Sequence, residues 1–135
     1  MDAPTRLVTF VDVAGGCTDR QISVSARVEA VLAGGGRLLL QEGRGWSISG
    51  PADLWATTSA ADVAATTRTA VGPDAPYGDR SVEDMAADHW VDLAAVLRRQ
   101  GVVAYPDELR RLPQEVVLSE RLVRRLGVEP SGLDE

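Results

Sequence analysis

Few side chains in this sequence are suited to covalent or proton-transfer chemistry. There is one cysteine, Cys17, and one histidine, His89. Cys17 follows an apolar run, in Ala14-Gly15-Gly16-Cys17-Thr18-Asp19-Arg20. A thiol near a helix N-terminus has a lowered pKa and becomes a nucleophile once a base is beside it. The sixth residue after Cys17 is Ser23, so the Cys-x5-Arg loop of a phosphatase is absent. A small packed thiol is the plainer reading. His89 stands one helical turn from Met85 and from Leu93. That spacing puts it on or beside a packed face, where a half-buried imidazole bonded to a carbonyl is expected. A general base or a metal ligand is the sharper alternative. Asp84, Asp88 and Asp92 recur every four residues and make an acidic stripe on one helix face. A hard cation there would need further oxygen ligands from a second helix. No Glu-x-x-His or His-x-x-x-His occurs, so no transition metal, and no other cofactor, is expected. The stripe reads as a solvated face.

The groups best placed to bind a small molecule lie at two glycine-rich breaks. After a first apolar run come Asp12, Gly15, Gly16, Cys17, Thr18 and Arg20; after a second come Arg44 and Trp46, in Glu42-Gly43-Arg44-Gly45-Trp46. A third break is Thr57-Thr58-Ser59. In open parallel sheets ligands sit beyond the carboxyl ends of the strands, so such breaks would converge. Glycines would let an anionic or nucleotide-like ligand approach the backbone, and Arg20 or Arg44 would supply a planar fork. Trp46, in a polar loop, is expected to be partly exposed and able to stack on a ligand or partner. The breaks match neither G-x-G-x-x-G nor a phosphate loop, and glycines after strands most often serve only the turn.

The elements that must position these groups follow from apolar periodicity. Residues 7–13 and 37–41 read as buried strands, 102–105 as a third, and 54–57 and 116–118 as two further candidates. Residues 22–33 carry both periods. Ile22, Val24, Ala26, Val28 and Ala30 alternate as on a strand, while Val24, Val28, Val31 and Leu32 follow a helix face. Good helix formers and Gly34-Gly35-Gly36 as a stop favour helix. Ser59-x-x-Asp62 and Ser81-x-x-Asp84 have the spacing of capping boxes and open helices near 60–70 and 82–100. In the second, Val82, Met85, His89, Leu93 and Val96 form the expected buried stripe, and Arg98 and Arg99 complement the dipole at its end. Helices near 107–112 and 120–126 follow, then a tail at 128–135. Helices between solid apolar strands predict one α/β domain over residues 1–135, three-layer-like, with a small and mostly parallel sheet.

Composition limits the function. The chain has 135 residues, 44% apolar and 25% charged, which suits one globular core and argues against disorder. A net charge of −6 disfavours unspecific nucleic-acid binding. All fourteen bases are arginine, a usage that reflects coding bias more readily than function. A single cysteine offers no disulfide framework, and no secretory pattern or membrane-length apolar run occurs, so a cytoplasmic protein is expected. Half the arginines fall in residues 98–125, whereas residues 74–92 hold six acids and one arginine. Intramolecular pairing is the bland account of this asymmetry. The sharper one is an interaction surface, either self-complementary in a homodimer or facing a charged protein partner. Two functions remain. The favoured one is a small accessory or regulatory domain, non-catalytic, that binds a protein partner or itself. The other is a small-ligand domain or enzyme built on Asp12–Arg20 with Arg44–Trp46.

Overall fold

The computed structural model describes residues 3–15 and 17–126. Its elements run β1 (Pro4–Val13), β2 (Gln21–Leu32), β3 (Arg37–Gln41), β4 (Trp46–Ser49), α1 (Leu54–Thr57), α2 (Ala60–Val71), α3 (Val82–Arg99), α4 (Pro106–Arg111), β5 (Gln114–Leu118) and α5 (Glu120–Arg125). The architecture is mixed α/β, but the sheet is mostly antiparallel rather than mostly parallel. β1, β2 and β3 form an antiparallel meander, β4 pairs antiparallel with β2, and β5 alone lies parallel, beside β1.

The correction begins at residues 22–33, which are strand and not helix. Ile22, Val24, Ala26, Val28, Ala30 and Leu32 are all buried, while Ser25 and Arg27 between them are exposed. That is the two-residue period of a strand with one covered face. Pairing with β1 on one side and with β3 and β4 on the other overrides local helix propensity. The glycines at 34–36 make a hairpin turn, where Gly35 takes φ +92 and the Leu32 amide donates to the Gly36 carbonyl at 2.8 Å. Two other expected strands fail for a different reason. Residues 54–57 form the short helix α1, whose Thr57 and Thr58 hydroxyls donate back to the Leu54 carbonyl. Residues 102–105 alternate as a strand should, with Val102 and Ala104 buried and Val103 and Tyr105 exposed. They pair with no strand among the described residues and instead link α3 to α4.

Register sorts the faces. Leu7, Thr9 and Val11 stand opposite Ala30, Val28 and Ala26, and all six are buried. Two core clusters form on this face. One joins Leu7, Ala30 and Leu40 to Trp90, Leu93, Leu97 and Leu109; the other joins Val11, Ile22 and Val24 to Trp55, Val63 and Leu122. Every described helix thus contributes apolar side chains to a cluster on the same face of the sheet. The other face carries Phe10 between Arg27 and Arg37, whose guanidinium carbons lie 5.3 and 5.6 Å from the ring centre. None of the helices is long and apolar enough to cross a membrane.

The helices near 60–70, 82–100, 107–112 and 120–126 are present. Both capping boxes form, with Ser59 and Asp62, and Ser81 and Asp84, exchanging side-chain and backbone bonds. The buried face of α3 is rotated from the expected stripe. Met85, Trp90, Leu93, Ala94 and Leu97 are buried, but Val82 is 70% exposed. Leu93→Ala is therefore expected to lower stability by about 2–5 kcal/mol. Val82→Ala, on the same helix, should change it by no more than about 0.5 kcal/mol. Urea unfolding of the two variants checks the assignment, and equal losses would show the face to be wrong.

Candidate functional site

The most constrained polar group is Asp12, near the carboxyl end of β1. Its carboxylate accepts from the Ser119 hydroxyl at 2.6 Å and from both Nε and Nη2 of Arg121 at 2.9 Å. The Val13 amide adds a bond at 2.7 Å. Ser119 is the N-cap of α5, and its own hydroxyl accepts from the Leu122 amide. The parallel β1–β5 pair creates this arrangement by bringing two carboxyl ends together, with the Ser119 amide donating to the Val11 carbonyl. The Arg121 bonds, followed by Ser119, hold the Asp12 carboxyl well below the usual carboxylate range. Asp12 is thus an anion held by its own fold, with three bonds on Oδ1, one on Oδ2 and a side chain still 42% exposed. It suits a clamp better than a general base.

Beside it a cleft of about 390 Å³ opens on the uncovered sheet face, lined by Phe10, Asp12, Ser25, Arg27, Glu42 and Ser119, among others. It lies on the sheet face toward the carboxyl ends of β1 and β5 rather than beyond them, and of the described residues expected at a site Asp12 alone lines it. Gly15 is exposed, and Gly16 lies outside the described residues. Cys17 is not at a helix start. It sits in the β1–β2 connection, and its Sγ lies 3.3 and 3.1 Å from the Ala14 and Ser23 carbonyls and accepts from the Ser23 amide at 3.3 Å. The thiol closes that connection as a backbone group would. The Thr18 carbonyl accepts from the Trp55 indole, and its hydroxyl accepts from the Arg20 amide. The Arg20 side chain is exposed and has no ion pair among the described residues.

The side-chain hydrogen bonds of Arg44 and Trp46 run to Asp74 and Thr67. β3 and β4 are two segments of one edge beside β2, pairing with Val28–Val31 and Gln21–Val24, and residues 42–45 bridge them. The bridge hugs β2 so closely that a Cβ at Gly45 would lie 2.2 Å from the Val24 carbonyl oxygen. Gly45 thus serves backbone packing. Arg44 pairs with Asp74 at 3.1 Å, and the Trp46 indole donates to Thr67 at 2.9 Å. Both are partly exposed, as expected, yet their partners lie in and after α2. The convergence expected on Gly15–Thr18 assumed a helical crossover at 22–33, which is strand; β1 and β3 nevertheless run in one direction, each antiparallel to β2, and Cys17 and Trp46 pack against the same core cluster.

His89 is half-buried and makes an edge contact with Trp90, ring centres 5.0 Å apart. Burial first, then the charge of Arg44, pushes its pKa down from the ordinary value. Of the acidic stripe, Asp88 pairs with Arg80, Asp84 caps its own helix and Asp92 is exposed. No cluster of three or more metal-ligating side chains occurs among the described residues.

A feature absent from the expected site lies on α3 and the segment after it. Val91, Ala94, Ala95, Ala104 and Pro106 floor a groove of about 350 Å³, with Arg98 and Arg99 on its wall. Neither arginine, nor Arg110 and Arg111 on the adjoining α4, forms an ion pair among the described residues. The rest of the basic end is engaged: Arg121 with Asp12, Arg124 with Glu120, and Arg125 stacked 4.1 Å over Trp55. The charge asymmetry was the legible signal for this surface. Only the fold separates paired arginines from unpaired ones. Compared with family models, curated proteins and solved structures, the chain matches none.

Two pH responses follow from linkage. The folded pKa of Asp12 lies below its unfolded value of 3.8, so its contribution to stability is complete above that pH and is lost as pH falls. Asp12→Asn should be less stable than the parent at pH 7 but lose less on going from about pH 4 to pH 2. The folded pKa of His89 is likewise depressed below 6.5, so stability falls as pH drops below that value. His89→Gln should flatten this upper limb alone. Urea midpoints across pH check both, and unchanged slopes would remove the assignments.

Proposed function

We propose that this chain is a non-catalytic interaction domain, a small accessory or regulatory module that works by binding a protein partner or a second copy of itself. The observation that carries the reading is the α3 groove: an apolar floor beside arginines that form no ion pair among the described residues, in a chain whose acids outnumber its bases by 20 to 14. Where acids are in excess, arginines left unpaired beside exposed Val103 and Tyr105 are available to a partner. Catalytic groups, by contrast, are dispersed. Cys17 is bonded to its own loop, Asp12 is paired with Arg121, and His89 packs on Trp90.

A second reading, a small-ligand domain, is supported by the cleft at the ends of β1 and β5, where Phe10, Arg27 and Glu42 stand on one wall or another. A photo-crosslinking amino acid at Val91 or Val103, compared with one at exposed Thr66 on α2, tests the main reading in the native host. Adducts of protein mass are expected from the first two positions and not from Thr66. Adducts from none of the three, or equally from all, would overturn it.

A further inference from the structure

The outward stripe of α3 is ordered by charge along its length. Asp84, Asp88, Val91, Ala95 and Arg98 follow one another at spacings of three and four residues, which places them on a single line up the helix. They lie opposite the buried Leu93 and Leu97. Acids occupy the first half, small apolar residues the middle and arginines the end. Val91, at the centre, is 53% exposed. Asp84 and Arg98 are each seven residues from Val91, about 10 Å in either direction at about 1.5 Å per residue.

We infer that α3 is a self-association surface whose occupant is the α3 of a second copy, packed antiparallel about a two-fold axis at Val91. This deepens the interaction-domain reading and rests on it. The argument is charge complementarity under symmetry. An isologous contact brings residue i of one copy to residue j of the other and the reverse. Reversing α3 about Val91 sets Asp84 of one copy opposite Arg98 of the other, twice over. A parallel arrangement would set Asp84 on Asp84 and Arg98 on Arg98, which is repulsive. The small residues Ala87, Val91, Ala94 and Ala95 allow two helix axes to approach closely at the centre. The groove beside Ala104 and Pro106 receives the flank of the incoming helix, and exposed Val103 and Tyr105 extend the apolar contact. The ionic part is exposed, so the association is salt-sensitive and of modest affinity.

Sedimentation velocity of the purified full chain from about 1 to 500 µM reads the association directly. A monomer–dimer equilibrium is expected, weakened by raising salt from about 50 to 500 mM. Val91→Glu and Arg98→Glu should each raise the dissociation constant at least about tenfold, because every substitution enters a two-fold interface twice. Thermal melts confirm that these exposed-site variants remain folded. A Cys17→Ser background carrying Val91→Cys should form a disulfide-linked dimer under mild oxidant. Val82→Cys should not, since it lies about 13 Å from the axis and the two copies' residues fall about 27 Å apart. A chain that stays monomeric at 500 µM overturns the inference, as does a dimer insensitive to both charged variants or one that crosslinks through Val82→Cys but not Val91→Cys. If the pure chain is monomeric while Val91 crosslinks to a different protein in the host, the inference fails and the interaction-domain reading stands. If neither occurs, both fail.

Discussion

Six alternating side chains on β2 set the orientation of the whole molecule. Ile22, Val24, Ala26, Val28, Ala30 and Leu32 all face the helices, and no helical position could display them together on one side. Because the side-chain period is two, a slip of one residue against β1 would turn this row to solvent and bring Arg27 and Glu29 into the core. The row is long enough to span both core clusters, so it joins the group α3 and α4 to the group α1, α2 and α5 on one face of the sheet. It also supplies the backbone for two separate edge segments, β3 and β4. Without it the Gly45 approach, the Trp46–Thr67 bond and the cleft beside Asp12 would have no common frame.

Much of the helical part was legible in the sequence because its signals are local. Ser59 with Asp62 and Ser81 with Asp84 announce two helices through side-chain spacing alone, and both boxes form. The strand at 116–118 was legible as an apolar run, though its parallel partner was not. Residues 22–33 were misread because alanine, arginine, glutamate and leucine favour helix locally, and only pairing on two sides decides against it. Residues 102–105 erred in the opposite sense. Their alternation is real, but alternation reports burial and not hydrogen bonding, and packing between two helices yields the same pattern. The site is affected as well, because the strand at 22–33 lies between β1 and β3 where a helical crossover was expected, although β1 and β3 still run in one direction. The basic end was visible as composition. Which arginines are engaged depends on contacts such as Asp12–Arg121, between residues 109 apart in the chain.

The arginines divide the molecule into two regimes. On the sheet side, charges are interleaved: Arg6 faces Glu115, and Glu29 lies between Arg27 and Arg37. Such local neutrality keeps an uncovered sheet face solvated while its apolar residues remain shaded by long side chains. On α3 the charges are instead segregated along the helix axis. The helix dipole accounts for that order, since acids at the first turn and bases at the last are each favoured. One arrangement therefore stabilises the helix internally and gives it a polarity that another molecule can sense.

The parallel β1–β5 pair has a consequence for how the chain is made. Its two strands lie 107 residues apart, so the outer edge of β1 has no native neighbour until almost all of the described chain has been synthesised. The β1–β2–β3 meander can close early through short turns, but its free flank then displays unpaired amides and carbonyls beside Leu7 and Val11. Joining so distant a segment is slow, because loop closure precedes any reward from the new contacts. The Asp12–Ser119–Arg121 clamp lies beside the point where this late strand ends, and it fastens the arrival of α5 with charge-assisted bonds. The segment that seals the sheet is thus one that lies far from β1 along the chain.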